Sequence, residues 1–102
     1  AKMIEITYTK SKDEFTLDMT GHAGSNEPGK DLVCCAVSTL FFTLANRIGG
    51  ISDEHSVSYK VGAGHIEAHG RDTLEPLETI LAGLTTLAEQ YPEYITIKGD
   101  IC

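Results

Sequence analysis

A long apolar segment, Leu32 to Ile48, places the tightest constraint on how this chain can fold. Its sequence, LVCCAVSTLFFTLANRI, has apolar or small residues on nearly every side, which predicts a helix buried on most of its faces. Asp31 is a suitable N-cap, because its carboxylate can accept hydrogen bonds from the first N–H groups of that helix. Gly49 and Gly50 are predicted to end it.

Alternating apolar and polar residues predict strands on both sides of this helix. Residues 3–9 and 15–21 alternate around the polar turn KSKDE, which predicts a β-hairpin, and HSVSYKV and GHIEAHG predict a second hairpin around GAG. A second helix is predicted from residue 72 to residue 91, with Asp72 or Thr73 as its cap and Pro76 in its first turn. Its apolar stripe is Leu77, Ile80, Leu81, Leu84, Leu87 and Ala88.

A final strand within residues 92–102 completes the order β-β-α-β-β-α-β. Strands that are neighbours in hairpins favour an antiparallel or mixed sheet with two helices packed against it. The predicted fold class is therefore a small α+β sandwich. The length predicts one domain over residues 1–102.

The acidic balance of the chain limits its expected partners and location. The formal net charge is -7 and the pI is about 4.9, whereas binding a phosphate backbone needs a basic face, so nucleic acid is not an expected partner. The N-terminal residues do not have the pattern of a secretory signal, and no apolar run is expected to reach the ~20 residues of a membrane span. Three cysteines, two of them adjacent, make a poor disulfide framework and favour a cytoplasmic location.

The strongest candidates for chemistry lie between the first hairpin and the long helix. His22 follows Gly21 at a strand end, and Cys34 and Cys35 fall in the predicted first turn of the helix. A helix N-terminus or a nearby histidine favours the thiolate form of cysteine, and histidine is the usual activator of a cysteine nucleophile. The alternative is that both cysteines are small core residues and His22 is an ordinary surface residue. Helical phase does not choose between the cysteines, since neither face is clearly exposed.

A metal site or another cofactor is not expected. His65 and His69 share a strand face but lie ~13 Å apart, which is too far for both to bind one ion. Adjacent cysteines such as Cys34 and Cys35 rarely converge on one ion, and the CxxC spacing is absent. The acidic residues of the second helix and its exit are most simply a solvated face, and they are Glu75, Glu78, Glu89 and Glu93.

The segments GHAG and GKDLVCCAVS together resemble the ribosomal-processing cysteine protease family (Prp). That family has the motif G-H-A after a strand, followed by a glycine-containing loop. The motif G-x-D-(I/L)-V-C then follows on a helix. The resemblance also covers the length and element order of the whole chain. The matching positions are Gly21, His22, Ala23, Gly29, Asp31, Leu32, Val33, Cys34, Ala36, Val37 and Ser38.

The resemblance implies a cysteine endopeptidase with His22 as base and Cys34 as nucleophile. It implies that the loop from Ala23 to Lys30 closes over a bound peptide. The remaining implied peptide-binding or supporting positions are Gly21, Ala23, Gly24, Gly29, Asp31 and Ser38. Cys35 departs from the family pattern, which usually has a small residue such as alanine there.

The substrate implied by the resemblance is the N-terminal extension of a large-subunit ribosomal protein, number twenty-seven in the standard naming. Members of the family are often homodimers, and the alternative substrate is a phage capsid or scaffold precursor. A rival class is a non-catalytic, ribosome-associated module that binds a peptide without cutting it. A redox pair of Cys34 and Cys35 is a third hypothesis, although a disulfide between adjacent residues is strained.

Overall fold

The computed structural model of the protein describes residues 3–21, 28–60 and 62–101, which form five strands, two helices and one short 3-10 turn. The elements follow the predicted order β-β-α-β-β-α-β. Their bounds are β1 Ile4–Lys10, β2 Glu14–Thr20, α1 Pro28–Ile51, β3 Glu54–Lys60, β4 Ala63–His69, the 3-10 turn Arg71–Thr73, α2 Leu74–Gln90 and β5 Ile95–Ile101.

The described strands form one mixed sheet in the order β3-β4-β2-β1-β5. The pairs β1–β2, β2–β4 and β3–β4 are antiparallel, and β5 lies parallel to β1. Both predicted hairpins are therefore present. The predicted α+β sandwich with two helices is confirmed.

One face of this sheet forms the core because its side chains alternate strictly. Ile4 and Ile6 of β1, and Phe15, Leu17 and Met19 of β2, are all at most 2% exposed and point toward the helices. The residues between them are polar and lie on the opposite face, which no described helix covers. A register slip of one residue would exchange the two faces, so the alternation fixes the pairing.

The bounds of α1 differ from the predicted ones at both ends. The helix begins at Pro28, where proline is tolerated because the first N–H groups of a helix have no intrahelical partner. It continues through Gly49 and Gly50 to Ile51, and the Ser52 N–H still donates to the Ile48 carbonyl at 2.9 Å. The predicted stop at the glycines is wrong. Continuation packs Ile51 against the core, which offsets the ~1 kcal/mol that each glycine costs in a helix.

The prediction that α1 is buried on most faces is also wrong. Only one stripe faces the core, whereas Leu32, Cys35 and Phe42 are exposed. The stripe consists of Val33, Cys34, Val37, Phe41, Leu44 and Ile48. An apolar sequence reveals its buried side poorly, because apolar residues occur on every side of the helix.

The expected absence of any apolar run of membrane-spanning length needs a correction as well. Residues Leu32–Ile51 form a helical stretch of 20 residues with a mean hydropathy of 1.5, which is long and apolar enough to cross a membrane. In this structure the stretch is the core helix of the sandwich. About a third of it, 33%, is buried against the sheet and α2.

The second helix begins at Leu74, after the 3-10 turn. Thr73 holds the predicted N-cap position, but its hydroxyl donates to the Gly70 carbonyl at 2.6 Å and makes no cap hydrogen bond. The predicted apolar stripe is confirmed, since Leu77, Ile80, Leu81 and Leu84 are buried and Leu87 and Ala88 are half-buried. The four glutamates predicted as a solvated face are exposed.

Gly64 of β4 allows α1 to approach the sheet closely. A Cβ atom at Gly64 would lie 2.7 Å from ring atoms of Phe41, so the aromatic ring occupies the space of a side chain. Phe41 is only 2% exposed, and Met19 packs beside the same position. The distance between helix and sheet therefore depends on this glycine.

Replacing Gly64→Ala is expected to lower the free energy of unfolding by ~1–3 kcal/mol, because the added methyl group overpacks the core. The matched control is Gly50→Ala in α1, where a Cβ atom has no neighbour within 4 Å. There the same substitution should raise stability by ~0.5–1 kcal/mol, since alanine favours the helix. Urea denaturation measures both, and effects of the same sign would contradict the close ring contact at Gly64.

Candidate active site

The end of β2 immediately precedes the predicted His22 in the sequence, and Gly21 determines its backbone conformation. Gly21 has a φ of 81°, and a Cβ atom there would lie 2.3 Å from the Met3 carbonyl oxygen. Only glycine fits both constraints. Gly21, predicted as a peptide-binding position, thus has a backbone reason to be glycine, because it turns the chain past the start of β1. His22, Ala23 and Gly24 lie outside the described residues.

The first helix, α1, begins earlier than the sequence predicted. Asp31 and Gly29 lie inside α1 rather than before it, so the prediction of Asp31 as the N-cap is wrong. The loop predicted from Ala23 to Lys30 also ends earlier, because α1 begins at Pro28. Cys34 consequently falls in the second turn of α1. The favourable field of a helix N-terminus fades within the first turn, so it acts only weakly on Cys34.

The structure separates the two cysteines that helical phase left undecided. Cys34 is 8% exposed and lies in the buried stripe of α1, whereas Cys35 is exposed. Adjacent residues of a helix point ~100° apart, so the two side chains leave α1 on different sides. Cys34 is the one held in a fixed position by packing against the sheet.

Ser38 lies one turn after Cys34 on α1. A separation of four residues places two side chains on the same side of a helix, and Ser38 is half-buried there. Ser38 was predicted as a supporting, peptide-binding position, and this role is untested. The roles of all the predicted site residues stay predictions.

The histidines of β4 take part in a different arrangement on the open face of the sheet. His65 Nδ1 lies 2.6 Å from an Asp18 carboxylate oxygen, and His69 Nδ1 lies 2.8 Å from a Glu14 carboxylate oxygen. Glu67 lies between the two rings, 3.7 Å from His65 and 3.3 Å from His69. Within residues 3–21, 28–60 and 62–101, no group of three or more potential ligands is arranged to hold a metal ion.

Sequence reasoning did not anticipate these carboxylate partners, because they depend on the register between β2 and β4. Glu14 lies opposite His69, and Asp18 lies opposite His65. The only indication in the sequence was that charged residues alternate in both strands. Directly opposite positions across an antiparallel pair interact, but only the register says which residues are opposite.

The Glu67 hydrogen bond raises the pKa of His69 above its usual 6.5. Partial removal from water opposes this rise, and the charges of Glu14, Glu54 and Glu67 reinforce it. Because the pKa is raised in the folded state, the stabilisation from charged His69 is complete below pH 6.5. It is lost as the pH increases through the folded-state pKa.

Replacing Glu67→Gln is expected to move the pKa of His69 back toward 6.5, because the substitution removes an anionic hydrogen-bond acceptor. NMR titration of the His69 ring proton measures the shift. Glu5→Gln on β1 is the control, since it removes a carboxylate from the same face away from β4. Equal shifts in both variants would contradict a specific contact with Glu67.

A groove of about 540 Å³ lies between the C-terminal half of α1 and the start of α2. Arg47, Asp72 and Glu75 lie at its polar side, and Leu44 and Ile80 contribute apolar surface. Its lining contains no cysteine or histidine. The groove is therefore separate from the predicted Cys34 site.

An aromatic cluster lies where α1 passes β3, and in it Phe41 is buried while Phe42 and Tyr59 are partly exposed. The ring centroids of Phe42 and Tyr59 are 5.0 Å apart, and those of Phe41 and Tyr59 are 6.0 Å apart. Phe41 and Phe42 meet edge to face at 5.2 Å. Sequence reasoning missed this cluster, because Tyr59 alternates like any strand residue and its neighbour on α1 depends on the tertiary fold.

The fold and its cysteine-bearing core helix are those of a cysteine protease. A family model described as "Cysteine protease Prp" matches residues 3–96. The Ribosomal processing cysteine protease Prp of Staphylococcus aureus (strain Mu50) is 31% identical over 101 residues, covering 93% of this chain and 95% of that protein. The chain belongs to the cysteine protease Prp family, which confirms the resemblance.

Two crystal structures of an essential ribosomal processing protease Prp from S. aureus have the same fold. One is a complex with a substrate peptide, with a TM-score of 0.82 at 28% identity over 96% of this chain and 100% of that one. The other carries a covalently linked product peptide, with a TM-score of 0.78 at the same identity and coverage. These structures support the assignment of this chain as a peptide-cleaving enzyme.

Proposed function

We propose that this protease removes the N-terminal extension from the precursor of a large-subunit ribosomal protein, number twenty-seven in the standard naming. His22 and Cys34 form its catalytic pair. The observation that carries the proposal is the position of Cys34, which the core stripe of α1 holds in place while Cys35 faces solvent. The protein acts in the cytoplasm, as a homodimer, and its net charge of -7 favours a basic ribosomal substrate.

The chemistry follows from the two side chains. His22 accepts the proton of the Cys34 thiol, and the sulfur attacks the scissile carbonyl carbon. Backbone N–H groups near Cys34 stabilise the resulting oxyanion. His22 then donates the proton to the leaving amine as the C–N bond breaks, which leaves the new carboxyl end bound to sulfur as a thioester. Water, deprotonated by His22, hydrolyses the thioester and restores the thiol.

Cys34 lies in the second turn of α1 rather than in the predicted first turn. Its activation therefore depends more on His22 than the sequence suggested. Because the helix field is weak at Cys34, the histidine supplies most of the activation. Gly21 supports this role, since its φ of 81° directs the chain out of β2 immediately before His22. Ala23, Gly24, Gly29, Asp31 and Ser38 are proposed to shape the peptide site around this pair.

The decisive substitution is Cys34→Ala, and the matched control is Cys35→Ala. Incubation with the N-terminal region of the host ribosomal protein, followed by mass measurement of the products, should give one cut with wild type and with Cys35→Ala. Cys34→Ala should give no cut, because the nucleophile is absent. Cleavage by Cys34→Ala at the wild-type rate would contradict the assignment. Binding without any product from wild type would favour the non-catalytic module.

Removal of the base in His22→Ala is expected to lower kcat by ~10²–10⁴-fold, because it removes general acid and base catalysis. It should also slow iodoacetamide alkylation of Cys34 at neutral pH. Peptide mapping separates Cys34 from the exposed Cys35, whose alkylation serves as the internal control. An unchanged rate at Cys34 would exclude His22 as its activating partner.

A further inference from the structure

The edge strand β3 is only partly covered by α1. All seven of its residues are exposed, although alternate residues face the same side of the sheet as the helices. On that side His55, Val57 and Tyr59 pair with the buried Ala68, Ile66 and with Gly64 of β4. Where α1 meets β3, Phe41 and Phe42 lie against Tyr59, while Val57 and Tyr59 remain partly exposed.

Three partly exposed apolar side chains lie where α1 meets β3, and we call them the aromatic platform: Phe42, Val57 and Tyr59. Their exposed fractions are 40%, 41% and 40%. Buried Phe41 lies against Tyr59 on one side and Gly64 on the other, so it supports the platform from below. A rigid platform binds with less loss of side-chain entropy than a flexible one.

The platform is aligned with Cys34 along α1. Ser38 and Phe42 follow Cys34 by four and eight residues, so these three side chains form a line that turns gradually toward β3. Eight residues correspond to ~12 Å along the helix axis. An extended peptide advances about 3.3 Å per residue, so the platform is about three to four residues from a peptide carbon held at Cys34.

We propose that the aromatic platform binds an apolar or aromatic side chain of the substrate located three to four residues from the scissile bond. This inference rests on the proposed function, since the distance is counted from Cys34 as the nucleophile. A peptide fits the platform better than a second copy of this chain does. Stable interfaces bury ~800 Å² on each partner, which is far more than three side chains of partial exposure provide.

A double-mutant cycle between enzyme and peptide tests the proposal. The probe is a peptide covering the extension and cut site of the ribosomal precursor, with each apolar residue within five positions of the cut changed to alanine in turn. The enzymes are wild type, Phe42→Ala and the control Tyr91→Ala. Tyr91 is also aromatic and 37% exposed, but it follows α2 near the opposite edge strand β5.

With wild type, alanine at the contacted position should lower kcat/KM by ~10-fold, which is the size of effect that loss of apolar contacts gives. In Phe42→Ala the same peptide change should cost ~3-fold or less, whereas Tyr91→Ala should retain the full loss. The same scan is repeated as binding to Cys34→Ala, measured by fluorescence anisotropy, with and without Phe42→Ala. This second readout needs no cleavage.

Coupling to a residue three or four positions from the cut supports the proposal. No coupling at any position, or coupling only to a residue next to the cut, overturns it. Phe42→Ala that changes the sedimentation mass without any coupling assigns the platform to a second copy and also overturns it. Cleavage by Cys34→Ala overturns the proposed function itself. Strict dependence on Cys34 without coupling overturns only the platform.

Discussion

The contact between Phe41 and Gly64 determines how α1 lies on the sheet. A Cβ atom at Gly64 would be 2.7 Å from the ring, so helix and strand approach more closely here than any other residue type would allow. Phe41 lies seven residues after Cys34, which is two turns of helix, so seating the ring also turns Cys34 toward the core. The next residue, Phe42, is turned outward to Tyr59 by the same rotation. One packing contact thereby orients both the candidate nucleophile and the candidate substrate surface.

The length of α1 has a chemical consequence. Because the helix begins at Pro28, Cys34 lies beyond the first turn, where the partial charge of a helix terminus acts most strongly. The structure thus removes the first-turn position that the sequence predicted for Cys34.

The sequence predicted the strands well and the helix rotation poorly, and one physical reason explains both results. Ile4, Ile6, Phe15, Leu17 and Met19 alternate with polar residues, so a single buried face was legible. Along α1 the apolar residues surround the helix, and the buried stripe follows instead from tertiary contacts such as Phe41 with Gly64. The glycines at 49 and 50 were misleading for a similar reason, because packing of Ile51 prolongs the helix past them.

Cys34 is buried and its neighbour Cys35 is exposed, so the two residues differ in packing although both carry a thiol. The Cys34 side chain is 8% exposed and touches the apolar stripe, so alanine in its place removes one sulfur atom and leaves only a small cavity. Cys35, one residue away on the same helix, is exposed. Cys35 is therefore a suitable control for Cys34 in substitution experiments. Adjacent residues of a helix point ~100° apart, so α1 directs Cys34 into the core and leaves Cys35 exposed.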